Sequence, residues 1–306
     1  MRTNKRIVAI DFFPEAAYRY LNYDAIVCVD IIRATTTLVT SIARGRQTFA
    51  AESRSAAQRI ASTLTDPIIA GEDETGAANG YDLPNSPYQV GRRKDIWRPL
   101  ILVSSYGTKL IANARDCEAV YVASLRNMTA TAETLAEEGY ERIAILGACS
   151  GGQHRCEDQL AAARLGKLLR ARGYSPNSRN TVTAIQRWSE ADTELIRLGR
   201  SAENLRLTEQ GDDLEYIMSH VDDVDVACAT TGAEVHSAGS EVLSQTIVAA
   251  PSDPKQPEPD KGARQTSSTD RTADLSSSEL STPERNPTIT LRRPMARPHR
   301  QALMPS

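Results

Sequence analysis

The sequence predicts an α/β fold, with a mixed, largely parallel sheet covered by helices on both faces. Three observations predict it. Short apolar runs alternate with amphipathic stretches, the pattern of strands feeding helices. One run, "AIVCVD" at 25–30, is apolar on both faces, as a central parallel strand must be. The alternation also stops abruptly near Pro251, so the pattern belongs to a folded part of about 250 residues, a common size for one domain.

The elements follow in chain order. "RIVAIDF" (6–12) and "AIVCVD" (25–30) are strands. "ATTTLVTSIARG" (34–45) is a helix stopped by Gly45. "QTFAA" (47–51) is a strand, and "SRSAAQRIASTL" (53–64) a helix capped by Ser53. "PIIAGE" (67–72) is a strand that enters the long loop "DETGAANGYDLPNSP" (73–87). "PLILVSS" (99–105), "AVYVAS" (119–124) and "ERIAILGA" (141–148) are strands. Each leads to a helix: 107–115, 129–139 and 156–173, the last ending at Gly173. Beyond Ser175 the pattern turns helical and polar, with one further strand expected at 224–230. The segment 251–306 has no aromatic residue and no cysteine, and Pro, Ser, Thr, Asp, Glu and Arg dominate it. Such a segment buries too little apolar surface to offset chain entropy, so the sequence divides into a folded domain, 1–250, and a disordered tail, 251–306.

Composition narrows the function. A net charge of −3 over 306 residues offers no basic face for nucleic acid, and Arg292, Arg293, Arg297 and Arg300 read as a solvated tail. Five cysteines without a CxxC pair make neither a disulfide framework nor a zinc site. No apolar run approaches the ~20 residues a membrane span needs, and the N-terminus has too short an apolar run for a signal peptide. The expectation is a cytoplasmic protein with reduced thiols; a homo-oligomer stays open.

In an open α/β sheet, sites form where strand carboxyl ends enter helices. Four such loops carry more polar chemistry than turns need. "DIIRATTT" joins a carboxylate (Asp30), a guanidinium (Arg33) and hydroxyls, a set suited to a metal plus an oxyanion. Asp30 could equally cap the following helix. "SSYGTK" (104–109) sets Ser104 and Ser105 before a helix start containing Gly107 and Thr108, an anion site or a plain serine cap. "GACSGGQHRCED" (147–158) holds glycines, among them Gly151, that could turn N–H groups onto an anion, and it ends in Glu157 and Asp158. Those two carboxylates suit a metal or a helix first turn. The fourth is the long loop containing Asn85 and Ser86. The third loop also spaces Cys149 and Arg155 as C-x5-R, the pattern of cysteine-dependent phosphatases, although so short a motif arises readily by chance.

Taken in order, "VCVDIIRATTTLVT", "YDLPNSP", "SSYGT", "SLRNMTA" and "GACSGGQHRCEDQLAAA" resemble the successive motifs of the 2-phosphosulfolactate phosphatase (ComB-like) family over about residues 5–240. The resemblance implies a three-layer α/β/α fold and Mg²⁺-dependent hydrolysis of 2-phospho-3-sulfolactate, a reaction of coenzyme M biosynthesis, or of a related phospho-hydroxy acid. Carried onto this chain, it marks Asp30 with Arg33, Glu72, Asn85 with Ser86, Gly107 with Thr108, Asn127, and Glu157 with Asp158. The chain departs from the family pattern at Asp73, Tyr81, Pro84, Ser104, Ser105 and Tyr106.

The leading expectation is therefore a phosphatase for a small anionic phosphoester. Asp30, Glu157 and Asp158 would hold Mg²⁺, with Arg33 and the N–H groups near Gly107 and Gly151 facing the developing charge. Asn85, Ser105 and Asn127 would orient the substrate. The alternatives are a non-catalytic or regulatory anion-binding protein and a cysteine phosphatase using Cys149 and Arg155.

Overall fold

A computed structural model describes residues 5–72 and 78–239. The expected tail at 251–306, and Asp73 in the long loop, lie outside the described residues.

The described residues form one ten-stranded sheet with nine α-helices. The strands are β1 (Ile7–Phe12), β2 (Ala25–Val29), β3 (Thr48–Ala51), β4 (Ile68–Gly71), β5 (Leu100–Val103), β6 (Ala119–Ala123), β7 (Arg142–Gly147), β8 (Ser175–Pro176), β9 (Cys228–Thr231) and β10 (Glu234–Ser237). The helices are α1 (Ala34–Ala43), α2 (Arg54–Ala61), α3 (Pro87–Arg92), α4 (Gly107–Ala114), α5 (Met128–Glu137), α6 (Cys156–Ala171), α7 (Arg179–Trp188), α8 (Arg200–Leu207) and α9 (Gly211–Ser219). Ser53 accepts the Ala56 N–H and caps α2, as its position implies.

Strand order is β4-β5-β3-β10-β9-β6-β2-β7-β1-β8. Two parallel runs, β4-β5-β3 and β6-β2-β7-β1-β8, flank the hairpin β9–β10. The hairpin pairs antiparallel with β3 on one side and with β6 on the other. β2 sits between β6 and β7 and is buried along its whole length, which is why both its faces are apolar.

Side chains from both parallel runs reach one shared core: Ile26, Cys28, Ala144 and Leu146 from one run, and Ala50, Leu100 and Leu102 from the other. Between them pack Leu38 and Val39 of α1 and Leu110 and Ile111 of α4. The sheet thus curls around α1 and α4. The second core lies on the outer face of the β1-β2-β6-β7 run, against α5, α6, α7, α8 and α9. The third, smaller core packs α2 on the outer face of β3 and β5. Layers of helix, sheet and helix result, as the α/β reading expects. No helix among the described residues is long and apolar enough to cross a membrane.

Three features depart from the sequence reading. A 3-10 turn fills Pro14–Arg19, the short helix α3 follows directly on the Asn85–Ser86 segment, and the expected strand 224–230 is one arm of a hairpin. Four-residue strands such as β10 give too little alternation to register as periodicity.

Candidate active site

The curl around α1 and α4 brings the carboxyl ends of β2, β4, β5 and β7 to one place. A cavity of about 380 Å³ opens there, lined by Asp30, Arg33, Glu72, Ser105, Glu157 and Asp158 among others. These six come from four separate loops.

The β2–α1 turn is fixed by its own threonines. The Thr35 hydroxyl donates to the Asp30 carbonyl (2.8 Å) and accepts the Asp30 N–H (2.9 Å). Thr36 donates to the Ile31 carbonyl (2.8 Å) and Thr37 to Asn85 Oδ1 (2.8 Å). The hydroxyl run that the sequence suggests for an oxyanion is spent on closing the turn, since buried hydroxyls bond back to nearby carbonyls. What the turn exposes is the Asp30 carboxylate. It lies against the start of α4, where a Cβ on Gly107 would collide with the Asp30 carboxylate and the Ala34 methyl. A glycine is required there for close approach.

Arg33 is almost fully buried, with 5% of its side chain exposed, and is paired through both terminal nitrogens. Its Nη2 donates to Glu72 Oε2 at 2.7 Å, and its Nη1 to Asp213 Oδ2 at 2.9 Å and to Gln210 Oε1. Asp213 also accepts the Ser86 hydroxyl at 2.5 Å and the Tyr88 N–H at 3.0 Å. Asn85 donates to Glu72 Oε1 at 3.5 Å. Asn85 and Ser86 therefore stand behind the cavity wall, bracing Glu72 and Asp213.

The β5–α4 turn divides its residues. Ser104 Oγ accepts the Thr108 N–H (2.9 Å) while Thr108 Oγ1 accepts the Ser104 N–H (3.0 Å), a reciprocal cap that locks the turn. Ser105 and Tyr106 line the cavity.

In the β7–α6 loop, Asp158 is buried and both its oxygens accept backbone N–H groups, from Ile31 (3.0 Å) and Cys149 (2.9 Å). It ties the β2 turn to the β7 turn. Asp158, the third expected metal ligand, lines the cavity, and each of its oxygens accepts one backbone N–H and keeps a second lone pair. Gly151 and Gly152 have positive φ and form a tight turn, with Ser150 and Gln153 bonded to each other through their backbones. Gly151 is exposed and Ser150, not Gly151, lines the cavity. Asn127 is also elsewhere. Its amide accepts the Ser124 N–H (2.9 Å) and donates to the Val122 carbonyl (3.3 Å), holding the β6–α5 turn away from the cavity.

The electrostatics follow from packing four carboxylates around one cavity. Burial raises the Asp30 carboxyl to about 7, with the Glu72 charge adding to the shift. Burial, then the Asp30 and Glu157 charges, hold the Asp158 carboxyl well above the usual carboxylate range. No preformed cage of three or more His, Cys, Asp or Glu ligands occurs among the described residues. The donor set fits a hard cation: Asp30, Glu157 and Asp158 bring carboxylate oxygens to the cavity, and Mg²⁺ takes oxygen ligands with waters completing its shell.

The thiol reading gains no support, since Cys149 does not line the cavity. Cys149 is buried, and burial followed by the Asp158 charge pushes its thiol up to about 12. The thiolate is the nucleophile, and a thiol held protonated at neutral pH is not one.

Residues beyond the sequence reading complete the wall. Ser201, Asn204, Leu205, Leu207 and Thr208 line the cavity on or just after α8, and Gln210 and Asp213 clamp Arg33. Nothing in a polar helix marks these positions; only the tertiary contact does.

In a mixed α/β sheet, a cavity at the strand ends is where a small-molecule site forms, and this one joins carboxylates, guanidinium groups and hydroxyls. The chain belongs to the 2-phosphosulpholactate phosphatase family, whose profile matches residues 12–231. That is a family of phosphoric monoester hydrolases. A probable 2-phosphosulfolactate phosphatase of Synechococcus sp. (strain RCC307) is 30% identical over 216 residues, covering 68% of this chain and 85% of the relative. Relatives with the same description occur in Parasynechococcus marenigrum (30% over 201 residues; 62% of this chain, 82% of the relative). Another is found in Synechocystis sp. (28% over 210 residues; 63% of this chain, 83% of the relative).

Proposed function

We propose that the protein is a Mg²⁺-dependent phosphatase hydrolysing a small anionic phosphomonoester, 2-phospho-3-sulfolactate or a related phospho-hydroxy acid. The observation that carries this reading is the meeting of Asp30, Arg33, Glu72, Ser105, Glu157 and Asp158 on one cavity. Family membership supports the chemistry.

In this reading Asp30, Glu157 and Asp158 supply the oxygen ligands for Mg²⁺. The bound ion would supply Lewis-acid stabilisation of charge on the phosphoryl group. The remaining work belongs to the chain. Gly107 lets the carboxylate of Asp30 sit against the first turn of α4. Arg33 holds Glu72 in place and sets a positive charge in the cavity wall. Asp158 fixes the relative position of the β2 and β7 turns, and thereby of Asp30 and Glu157. Ser105, Tyr106 and Ser150 present side-chain hydroxyls to a substrate. Asn85, Ser86 and Thr108 act behind these groups, while Asn127 and Gly151 maintain neighbouring turns.

The test is release of inorganic phosphate by the full chain from 2-phospho-3-sulfolactate and from a panel of phospho-hydroxy acids, with Mg²⁺ or with EDTA. Activity should require the cation, and Asp30→Asn should lower kcat by about 100-fold or more, as loss of a charge-stabilising group does. Full activity of Asp30→Asn would remove the metal assignment. No turnover on any phosphoester would favour an anion-binding protein instead.

A further inference from the structure

Two guanidinium groups line the cavity, Arg33 and Arg155, and they are in opposite states. Arg33 is paired through both terminal nitrogens, with Glu72, Asp213 and Gln210, and its charge is offset by two carboxylates. Arg155 is 9% exposed, and its Nε is a buried donor with no hydrogen-bond partner. It is the sole side-chain atom of that kind among the described residues. A buried N–H left unpaired costs free energy, so such groups usually signal a partner yet to arrive.

The position of Arg155 also opposes its own helix. It occupies the N-cap site of α6 and makes no side-chain cap bond. The positive end of the helix dipole disfavours a cation there. Neither hydrogen bonding nor the dipole accounts for this residue as a stabilising feature. The cavity that it lines also presents Ser150, Ser201 and Asn204, each with a hydroxyl or amide donor. A guanidinium beside several neutral donors is an arrangement suited to an oxyanion.

We infer that Arg155, rather than Arg33, grips an acidic group of the substrate. The inference rests on the phosphatase reading and deepens it. Besides the Mg²⁺ held by the carboxylates, an anionic substrate in so acidic a cavity gains from a cationic side chain still able to pair. Arg155 is such a side chain. A phospho-hydroxy acid carries two kinds of acidic group, the phosphoryl group and a carboxylate or sulfonate, and the guanidinium chemistry suits either.

The experiment uses the full chain with Arg155→Gln and Arg155→Lys, and two substrates, 2-phospho-3-sulfolactate and phenyl phosphate. Inorganic phosphate binding is measured separately by isothermal titration. Arg155→Gln should raise KM by about 10- to 100-fold, the loss expected for one charge-assisted contact, with kcat changed only a few-fold. Arg155→Lys should recover part of the loss, because lysine keeps the charge without the planar fork. If KM rises for both substrates and phosphate binding weakens, Arg155 holds the phosphoryl group. If KM rises for 2-phospho-3-sulfolactate alone, it holds the second acid. Both results support the inference. A KM and a phosphate affinity within twofold of wild type would overturn it, and so would a fall in kcat at unchanged KM. Should the wild type hydrolyse neither substrate, the phosphatase reading falls. Titration of wild type and Arg155→Gln with inorganic phosphate and with 2-phospho-3-sulfolactate would then still decide the role of Arg155, and affinities within twofold for both would overturn it.

Discussion

Asp213→Asn is the sharpest probe of how the site is held. Asp213 is buried and accepts three hydrogen bonds: from Arg33 Nη1 (2.9 Å), the Ser86 hydroxyl (2.5 Å) and the Tyr88 N–H (3.0 Å). It joins α9 to α1 and α3 through one carboxylate. Asparagine keeps the size and one acceptor oxygen but turns an NH₂ toward donors and removes the charge opposite Arg33. Breaking a buried pair by removing one partner costs about 3–5 kcal/mol. Arg33 keeps Glu72 as a second carboxylate, so the lower end applies, about 3 kcal/mol. For a domain of this size each kcal/mol lowers Tm by about 2–4 °C, giving a fall of about 6–12 °C. Urea unfolding followed by circular dichroism measures the first quantity, and phosphate release measures the second consequence, a drop in kcat/KM as Arg33 and Glu72 lose their fixed geometry. If Asp213→Asn costs under about 1 kcal/mol and turns over substrate normally, Arg33 is not held by Asp213 and the clamp described here is wrong.

Gly107→Ala should destabilise by about 1–3 kcal/mol, because the added methyl meets the Asp30 carboxylate and the Ala34 methyl in a packed turn; unchanged denaturant midpoint and activity would show that α1 and α4 have room to part. Cys149→Ser should retain most activity, and Cys149 should resist iodoacetamide at pH 8, four pH units or so below its raised value of about 12, whereas rapid alkylation or lost turnover would revive the thiol as a participant. Arg93, together with Arg46, holds the Asp95 carboxyl below the usual range. A depressed carboxylate lends stability above its unfolded pKa of about 3.9 and loses it as pH falls toward the lowered native value. Asp95→Asn should therefore flatten the decline of Tm below about pH 4, and an unchanged acid limb would refute that assignment.

Much of the fold was legible because parallel strands bury both faces and their helices carry one apolar stripe. The uninterrupted "AIVCV" of β2 and the alanine-rich run of α6 leave little ambiguity. The cavity wall was legible in its first half for a related reason. Asp30, Glu72 and Ser105 stand at strand ends and Glu157 in the first turn of α6, and both places are readable. The second half was not. Ser201, Asn204 and Thr208 belong to a polar segment whose neighbours are set by tertiary packing, and Gln210 and Asp213 read as ordinary helix-start polarity. The threonines after Arg33 misled in the opposite direction. Their chemistry suggested an anion, and their burial directed it to the backbone. Arg155 drew notice in sequence for its distance from Cys149; in the structure its interest lies in an N–H with nothing to bind.

The hairpin β9–β10 has a bearing on how the molecule comes into being. It lies between β3 and β6 in the sheet, yet it is the last pair of strands in the described chain. During synthesis β3 and β6 emerge with their facing edges bare, and residues 228–237 must follow before those edges can be joined. Contacts so distant in sequence slow folding, and an unpaired strand edge is a template for aggregation. Nascent chains arrested before residue 228 should therefore be caught by chaperones or lost to proteolysis far more readily than chains released just past residue 239. The keystone of this sheet is laid last.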